Sequence, residues 1–193
     1  MFNIAVFASG AGSNAQKLID YFRTHHSIKI GLIVSNKSNA GVLQIAQSEN
    51  IPALVLGKEK FFHGNGYVDE LSDMDIGFIV LAGFLWKIPS TLIRSFPNKI
   101  VNIHPALLPN YGGKGMYGSF VHESVIKAGD TESGITIHFV DDQYDHGPII
   151  FQARCSINKN DTAETLAQKI HQLEHKNYPR VVEEVVNRSR YEV

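Results

Sequence analysis

The side chains best suited to chemistry are Asn102 and His104, which stand two positions apart in an apolar run that ends at Pro105. If the run is a strand, its period of two places both side chains on one face. Because proline ends regular pairing, the pair would lie at the carboxyl end of the strand, where open α/β sheets bind ligands. An amide donor and a titratable imidazole can stabilise an oxyanion and transfer a proton. The spacing favours an active site, with two hydrogen-bonded structural groups as the alternative.

A turn rich in acidic residues is a second source of chemistry. Residues 141–148 contain three carboxylates, those of Asp141, Asp142 and Asp145. A turn commonly uses one or two such groups for local capping, and a solvated position is the alternative for each of them. If the turn folds over the end of the strand that carries His104, one carboxylate can orient the imidazole and favour its charged form.

The loop Ser9-Gly10-Ala11-Gly12-Ser13-Asn14 joins an apolar run to an amphipathic stretch and is typical of anion binding. Free backbone N–H groups at a helix start, together with two glycines, allow an anion to approach closely. The loop lacks the third glycine of the dinucleotide fingerprint and the Gly-Lys-Ser/Thr of a P-loop, which favours a single phosphate ester over a nucleotide. The alternative is a tight turn in which Ser13 or Asn14 caps the helix.

Several other side chains carry no catalytic prediction. His171 and His175 are four positions apart but lack the acidic pattern of a helical zinc motif, so no metal is predicted. Cys155 is the only cysteine, which excludes an intramolecular disulfide and favours a reducing compartment. Phe84 and Trp86 are expected either to line a slot for a flat ring or to close the core.

The composition predicts one globular domain that binds small molecules. The chain has 193 residues, of which 44% are hydrophobic, and a formal net charge of -1. That length suits one well-buried core, which we expect to span residues 1–187, with a tail at 188–193. The small net charge favours neither nucleic acid nor an anionic membrane as a partner. With no basic leader and no apolar run of about 20 residues, a cytoplasmic location is expected.

Strand and helix patterns alternate along the chain. They predict strands at 2–7, 28–34, 51–56, 76–82, 99–104, 134–140 and 148–155, and helices at 14–23, 41–48, 119–128, from Pro89 and Ser90, and from 161 onward. Thr136 and His138 alternate with apolar residues, which indicates an edge strand. Asp161 and Glu164 form a predicted capping box, and Pro179 is expected to kink or divide the last helix. The alternation favours a doubly wound, mostly parallel α/β fold with an antiparallel C-terminal extension.

Taken in order, five segments resemble the folate-dependent formyltransferases, namely residues 9–14, 81–84, 102–109, 134–139 and 145–148. The Asn-Ile-His-Pro-x-Leu-Leu-Pro element is similar across that wider family. The Gly-x-Gly-Ser-Asn loop narrows the resemblance to the phosphoribosylglycinamide formyltransferases. The resemblance extends over residues 1–187 and implies the three-layer formyltransferase fold.

This resemblance implies transfer of the formyl group of 10-formyltetrahydrofolate to the amine of 5-phosphoribosylglycinamide in purine synthesis, without a metal. It implies small-molecule partners only, and a monomer or homodimer. Asn102 would donate to the formyl oxygen, His104 would act as the acid, and Asp145 would orient His104. The implied substrate contacts are Gly12, Ser13, Asn14 and Glu174 for the phosphorylated acceptor, and Leu85, Trp86, Lys87, Ile88, Asn102, Phe139, Val140 and Asp141 for the folate.

Two other functions fit part of the same pattern. A 10-formyltetrahydrofolate hydrolase would use the same catalytic trio on water, but is expected to lack the phosphate loop. A non-catalytic phosphosugar-binding module would use Asn102, His104 and Asp145 only as structural groups. The chain also departs from the family pattern at Trp86 and Lys87, where many members have arginine. Lys87 is a candidate to contact the glutamate tail of the folate, and Lys60 is a weaker one.

Overall fold

A mostly parallel sheet organises the structure, a computed structural model that describes residues 1–191. Its strands are β1 (Phe2–Phe7), β2 (Ile28–Ser35), β3 (Ala53–Val55), β4 (Ile76–Leu81), β5 (Ile100–His104), β6 (Glu132–Phe139) and β7 (Ile149–Ser156). The helices are α1 (Ser13–Phe22), α2 (Gly41–Ser48), α3 (Lys58–His63), α4 (Val68–Asp73), α5 (Ser90–Ser95), α6 (Ser119–Ala128) and α7 (Ala163–Tyr191). No helix within residues 1–191 is long and apolar enough to cross a membrane.

The strand order is β3-β2-β1-β4-β5-β6-β7. Strands β1 to β5 pair in parallel, whereas β6 is antiparallel to both β5 and β7. This arrangement confirms the predicted α/β fold with its antiparallel C-terminal extension. The chain first extends the sheet to one side of β1, and β4 then pairs with the other side. The loops that leave the carboxyl ends of β1 and β4 therefore diverge and open a crevice between them.

Helices cover both faces of the sheet. Along β1, Ile4 and Val6 face a core built with α1, α2, α6 and α7, whereas Ala5 and Phe7 face a second core built with α3, α4 and α5. All four side chains are buried, as expected for a parallel strand covered on both sides. The sheet and its two helical layers give the three-layer architecture that the sequence predicts.

Strand β6 lies inside the sheet, so the predicted edge position is wrong. The polar residues that suggested an edge, Thr136 and His138, are buried and hydrogen-bonded. Thr136 Oγ1 donates to the Ala106 carbonyl at 2.7 Å and accepts from Leu108 N at 3.0 Å. The alternating polar residues of β6 are therefore satisfied by internal hydrogen bonds rather than by solvent. The edge of the sheet on this side is formed by β7.

Helices α3 and α4 occupy residues 58–73, where the sequence patterns predicted neither a helix nor a strand. Each helix has six residues, which is too short to display a 3.6-residue period. Phe61 and Leu71 are both fully buried and pack these helices against the sheet. Tertiary packing rather than local pattern therefore accounts for them.

Helix α7 begins one residue later than its predicted capping box. Thr162 and Thr165 form the box reciprocally, because Thr162 N donates to Thr165 Oγ1 at 2.9 Å and Thr165 N donates to Thr162 Oγ1 at 3.3 Å. Asp161 instead accepts hydrogen bonds from Asn158 N and from Lys169. The predicted pairing of Asp161 with Glu164 is therefore wrong, since a threonine can fill the third position as well as glutamate.

Pro179 does not divide α7, which continues as far as Tyr191. The neighbouring Tyr178 is fully buried, and its hydroxyl donates to the Leu81 carbonyl at 2.8 Å. The predicted tail from residue 188 is helical up to Tyr191, because Arg190 donates to Ser27 Oγ and covers the Phe2 ring. Residues 192 and 193 lie outside the described part of the chain.

Candidate active site

One large cavity brings together most of the sequence-predicted site residues. It has a volume of about 830 Å³ and lies at the carboxyl ends of β1, β4 and β5. Its lining includes the whole loop 9–14, the three side chains Asn102, His104 and Asp145, and Glu174 of α7. Residues as distant in sequence as Ser9 and Glu174 thus meet around a single space.

Asn102 is oriented by a histidine on the neighbouring strand. In the antiparallel β5/β6 register, Asn102 stands opposite His138. The His138 Nδ1–H donates to the Phe139 carbonyl at 2.7 Å, so the neutral ring presents Nε2 as an acceptor. Asn102 Nδ2 donates to that Nε2 at 3.1 Å, which leaves its second N–H facing Asp145 Oδ1 at 3.5 Å. That second contact is long, so the donor remains available to a ligand oxygen.

His104 is buried, and its two ring nitrogens have different partners. Nε2 donates to the backbone carbonyl of Tyr111 at 2.8 Å. Since a carbonyl only accepts, this bond fixes the tautomer of the neutral ring with its proton on Nε2. Nδ1 lies 3.5 Å from Asp145 Oδ2 and is the nitrogen free to exchange a proton in the cavity.

Asp145 reaches Asn102 and His104 because the turn after β6 folds back over the end of β5. Its backbone adopts a left-handed conformation, with φ of 54°, which asparagine and aspartate tolerate better than most residues. The Gly113 N–H donates to its Oδ2 at 2.9 Å. Burial raises the pKa of Asp145, but the contacts with His138, His104 and Gly113 outweigh burial and hold that pKa below its usual value.

The net pKa shift of His104 runs against the sequence-based expectation. Burial lowers the pKa of His104, and the negative charge of Asp145 offsets only part of that effect. The predicted influence of Asp145 therefore has the expected sign, but the neutral imidazole is favoured overall. The free site thus holds a proton acceptor at Nδ1 near neutral pH.

The loop before α1 leaves the start of the helix uncapped. Gly12 occupies the N-cap position with φ of 86°, and no side chain within residues 1–191 caps the helix there. The alternative in which Ser13 or Asn14 caps the helix is therefore wrong. Lys37, which the sequence patterns did not single out, lines the same part of the cavity and brings a positive charge to it. Uncapped N–H groups with a nearby lysine suit a phosphate.

Glu174 connects α7 to this loop. Asn14 Nδ2 donates to Glu174 Oε2 at 2.9 Å, and the glutamate is 6% exposed. Burial raises the pKa of Glu174, while the Asn14 bond and the nearby His171 oppose that shift. The carboxylate can accept hydrogen bonds from hydroxyl groups of a ligand whose phosphate lies at the start of α1.

Gly12 should be intolerant of a side chain. A Cβ at this position would lie 2.9 Å from Val42 Cβ, and the positive φ adds backbone strain. We expect Gly12→Ala to lower the free energy of unfolding by about 1–3 kcal/mol and to raise KM for a phosphorylated acceptor. Thermal unfolding and steady-state kinetics measure both effects. Gly10→Ala is the matched control for stability, because no atom of the described residues would lie within 4 Å of its Cβ.

A smaller cavity of about 60 Å³ is lined by Asn102 and Asp145 and contains most of the predicted folate contacts. Its lining includes Trp86, Lys87, Ile88, Asn102, Val140 and Asp141. Leu85 lines the large cavity instead, and Phe139 lines neither cavity. Leu85 N donates to Ser9 Oγ at 2.9 Å, which ties this segment to the phosphate loop. Trp86 also packs on Phe62 with ring centroids 5.2 Å apart, so it both lines the smaller cavity and packs against the hydrophobic core.

Three histidines without a predicted role belong to the site, and one of them, His171, lines the large cavity near Glu174. His138 orients Asn102, as described above, and the strand register is the signal that would have revealed it. His122 is 5% exposed and lines the large cavity, and its Nδ1 has no hydrogen-bond partner within the described chain. Residues 1–191 contain no group of three His, Cys, Asp or Glu side chains able to hold a metal. Burial raises the pKa of the Cys155 thiol, which opposes a nucleophilic role.

The fold and the site together define a formyltransferase-type domain. Residues 2–182 match the model of the formyl transferase family, and the chain belongs to that family. A protein of Arabidopsis thaliana named phosphoribosylglycinamide formyltransferase, chloroplastic, is 42% identical over 191 residues, which cover 93% of this chain and 63% of that protein. The phosphoribosylglycinamide formyltransferase of Bacillus subtilis (strain 168) is 35% identical, with 96% of this chain and 95% of that protein covered.

A solved structure agrees with these relatives. The crystal structure of phosphoribosylglycinamide formyltransferase from Bacillus halodurans superposes with a TM-score of 0.87 at 34% identity, covering 97% of this chain and 96% of that one. The chain spans about three fifths of the length of the two plant relatives that it matches, and nearly the full length of the two bacterial proteins.

Proposed function

We propose that this protein is a phosphoribosylglycinamide formyltransferase. In the proposed reaction, the formyl group of 10-formyltetrahydrofolate passes to the amine of 5-phosphoribosylglycinamide and tetrahydrofolate is released, a step of purine synthesis. The observation that carries the proposal is that an uncapped helix start suited to phosphate and the trio Asn102, His104 and Asp145 line one cavity. An acceptor whose phosphate is bound at the start of α1 can present its amine to these three side chains.

Asn102 and His104 have different roles in the first step, as hydrogen-bond donor and proton acceptor. The amine nitrogen bonds to the formyl carbon, and negative charge develops on the formyl oxygen. Asn102 donates the N–H that is not bound to His138 to that oxygen. His104 Nδ1, neutral because of burial, accepts the proton that the amine loses. The imidazolium formed in this way is stabilised by Asp145.

His104 acts as the acid in the second step. The bond between the formyl carbon and the folate nitrogen breaks, and that nitrogen must leave with a proton. His104 returns the proton it has just accepted, so the site ends in its starting state and the overall reaction needs no external acid. Asp145 assists the first transfer, because its charge stabilises the intermediate imidazolium, whereas burial, which lowers the pKa of His104, favours return of the proton in the second.

The side chains that line the smaller cavity suit the pterin end of the folate co-substrate by their chemistry. 10-Formyltetrahydrofolate supplies the formyl group, and its pterin is a flat heterocycle with hydrogen-bonding groups along its edge. The slot combines apolar walls at Ile88 and Val140 with the carboxylate of Asp141, and it opens onto Asn102 and Asp145. Lys87 lines the same slot, whereas Lys60 is held in an ion pair with Glu70. Lys87 is thus the better candidate to meet the negatively charged glutamate tail.

A formyl-transfer assay tests the proposal directly. The protein is incubated with 10-formyltetrahydrofolate labelled with ¹³C in the formyl group, with and without phosphoribosylglycinamide, and products are followed by mass spectrometry. Labelled formyl-phosphoribosylglycinamide that forms only with both substrates supports the proposal. Acceptor-independent release of labelled formate would indicate the hydrolase, and binding of the acceptor without any folate turnover would indicate a non-catalytic module.

Asp145→Asn tests the proton-transfer scheme through its pH dependence. We expect kcat to fall by about 10²-fold. Removal of the charge that opposes burial lowers the pKa of His104 further below its usual 6.5. Since neutral His104 is the proton acceptor, activity is lost as the pH falls through that pKa, and the acid limb of kcat/KM should move to lower pH.

The matched control for this experiment is Asp142→Asn in the same turn, because Asp142 accepts a hydrogen bond from Ser90 rather than contacting His104. Its acid limb should coincide with that of the unmodified protein. A limb that stays in place or moves to higher pH in Asp145→Asn would contradict the scheme. The cytoplasmic location stays a prediction, since two plant relatives are named as chloroplastic proteins, and so does the oligomeric state.

A further inference from the structure

We propose that Tyr111 is a positioning residue for the proton-transfer step, acting through its backbone carbonyl on His104 and held in place by Asp130. The proposal rests on the proposed function, since it concerns the nitrogen of His104 that exchanges the proton. It assigns a role to a tyrosine and an aspartate outside the catalytic trio. Neither side chain lines the large cavity.

The first step of the inference is the tautomer of His104. The only group that the structure places against Nε2 within residues 1–191 is the Tyr111 carbonyl, at 2.8 Å. That bond keeps the neutral ring protonated on Nε2 and unprotonated on Nδ1, the atom that faces Asp145 and the cavity. If the carbonyl moved away, the proton could reside on Nδ1 and donate to Asp145, and the ring would lose its capacity to accept a proton there.

A hydrogen bond between the Tyr111 side chain and Asp130 holds the Tyr111 carbonyl in place. Tyr111 has a left-handed backbone conformation, with φ of 56°, which is costly for a residue with an aromatic side chain. Its hydroxyl donates to Asp130 Oδ2 at 2.6 Å, and this bond raises the pKa of the phenol. Asp130 directly follows Gly129 at the end of α6. The phenol therefore links the strained residue to the C-terminal end of α6.

The same short segment also contacts the other catalytic partner. Gly113 N donates to Asp145 Oδ2 at 2.9 Å, and a Cβ at Gly112 would lie 2.5 Å from Leu108 Cδ2 and 3.3 Å from Asp145 Cβ. Residues 111–113 thus contact both the imidazole and the carboxylate. A displacement of Tyr111 would change the geometry of both, which is why a hydrogen bond on the far side of the loop can influence the reaction.

Variants of Tyr111 and Asp130 can distinguish an effect on the position of His104 from a loss of protein stability. Tyr111→Phe removes the hydroxyl and keeps the ring and the carbonyl, whereas Asp130→Ala removes the acceptor. Asp130→Asn keeps an oxygen that can accept from the phenol. The tautomer of His104 is read from two-bond ¹H–¹⁵N correlation spectra of ¹⁵N-histidine-labelled protein, with His104→Ala used to assign the signal. The same proteins are assayed for kcat and KM.

We expect Tyr111→Phe and Asp130→Ala to shift His104 toward the tautomer protonated on Nδ1 and to lower kcat by about three- to tenfold, with KM little changed. Asp130→Asn should restore both properties, and the double variant Tyr111→Phe/Asp130→Ala should be no worse than either single variant. Tyr21→Phe is the matched control, because it removes another tyrosine–carboxylate hydrogen bond, with Glu183, away from the site.

Other outcomes would overturn the proposal. An unchanged His104 tautomer in both single variants would do so, whether or not kcat fell. Additive losses in the double variant would do so as well, because they would show that the two groups act independently. The spectra do not depend on activity, so a tautomer shift in a protein that transfers no formyl group would support the positioning role while the proposed function failed.

Discussion

Replacement of His104 by alanine is expected to lower kcat by about 10²–10⁴-fold, the range that a positioned proton-transfer group contributes. The reason is structural as well as chemical. Nδ1 of His104 lies 3.5 Å from Asp145 Oδ2 and is free to accept a proton, since Nε2 of the same ring is committed to the Tyr111 carbonyl. His138 Nε2 lies 3.7 Å from Asp145 Oδ1, but it already accepts a hydrogen bond from Asn102. Without Nδ1 of His104, the proton lost by the amine must pass through water.

The same variant should change KM by only a few fold. The phosphate loop and Glu174, which would hold the acceptor, contact neither nitrogen of His104. Steady-state kinetics with each substrate varied in turn measures the split, and thermal unfolding checks that the buried site tolerates the smaller side chain. His63→Ala is the matched control, because His63 is an exposed histidine at the end of α3. Turnover near that of the unmodified protein would contradict the assigned role.

The strand that carries the pair was predictable because its pattern is local. Residues 100–104 alternate in a way that a strand explains, and Pro105 marks its end, so the shared face of Asn102 and His104 follows from the period of two alone. The structure places both side chains in the cavity at that strand end. Local periodicity was enough here because the two residues lie on one element.

The contact with Asp145 was only conditionally predictable, since it depends on the path of a turn. The sequence offered three carboxylates in residues 141–148, and nothing local distinguishes the one that reaches His104. The selection depends on the left-handed backbone at Asp145 and on the Gly113 N–H that receives its carboxylate. Both are tertiary features. His138 escaped prediction for a similar reason, because its role depends on the register of two strands that pair antiparallel.

The protonation state of His104 could not be predicted from the sequence. A neighbouring carboxylate could be anticipated, and it does push the pKa of His104 upward. The depth of burial could not be anticipated from residues that flank the histidine, and burial has the larger effect. The sign of the net shift therefore required the three-dimensional environment, and in the proposed mechanism it makes His104 a proton acceptor before it acts as a donor.

Asn102→Ala should lower kcat by roughly 10²–10³-fold, the usual cost of losing one oxyanion donor. The expectation follows from the way the amide is held. His138 accepts one N–H of Asn102 at 3.1 Å, so the amide cannot rotate without losing that bond, and the other N–H stays directed at the reacting group. Because this donor acts mainly on charge that develops during the reaction, KM for both substrates should change little.

Asn102→Asp sharpens the test, because it preserves size while removing the donor. A carboxylate at this position would lie close to Asp145 and to the developing oxyanion, and like charges repel each other. We therefore expect its kcat to be at or below that of Asn102→Ala at pH 7 to 8, although its shape is closer to that of asparagine. If Asn102→Asp retained more activity than Asn102→Ala, shape rather than hydrogen-bond donation would be the contribution of Asn102, and the oxyanion role would be wrong.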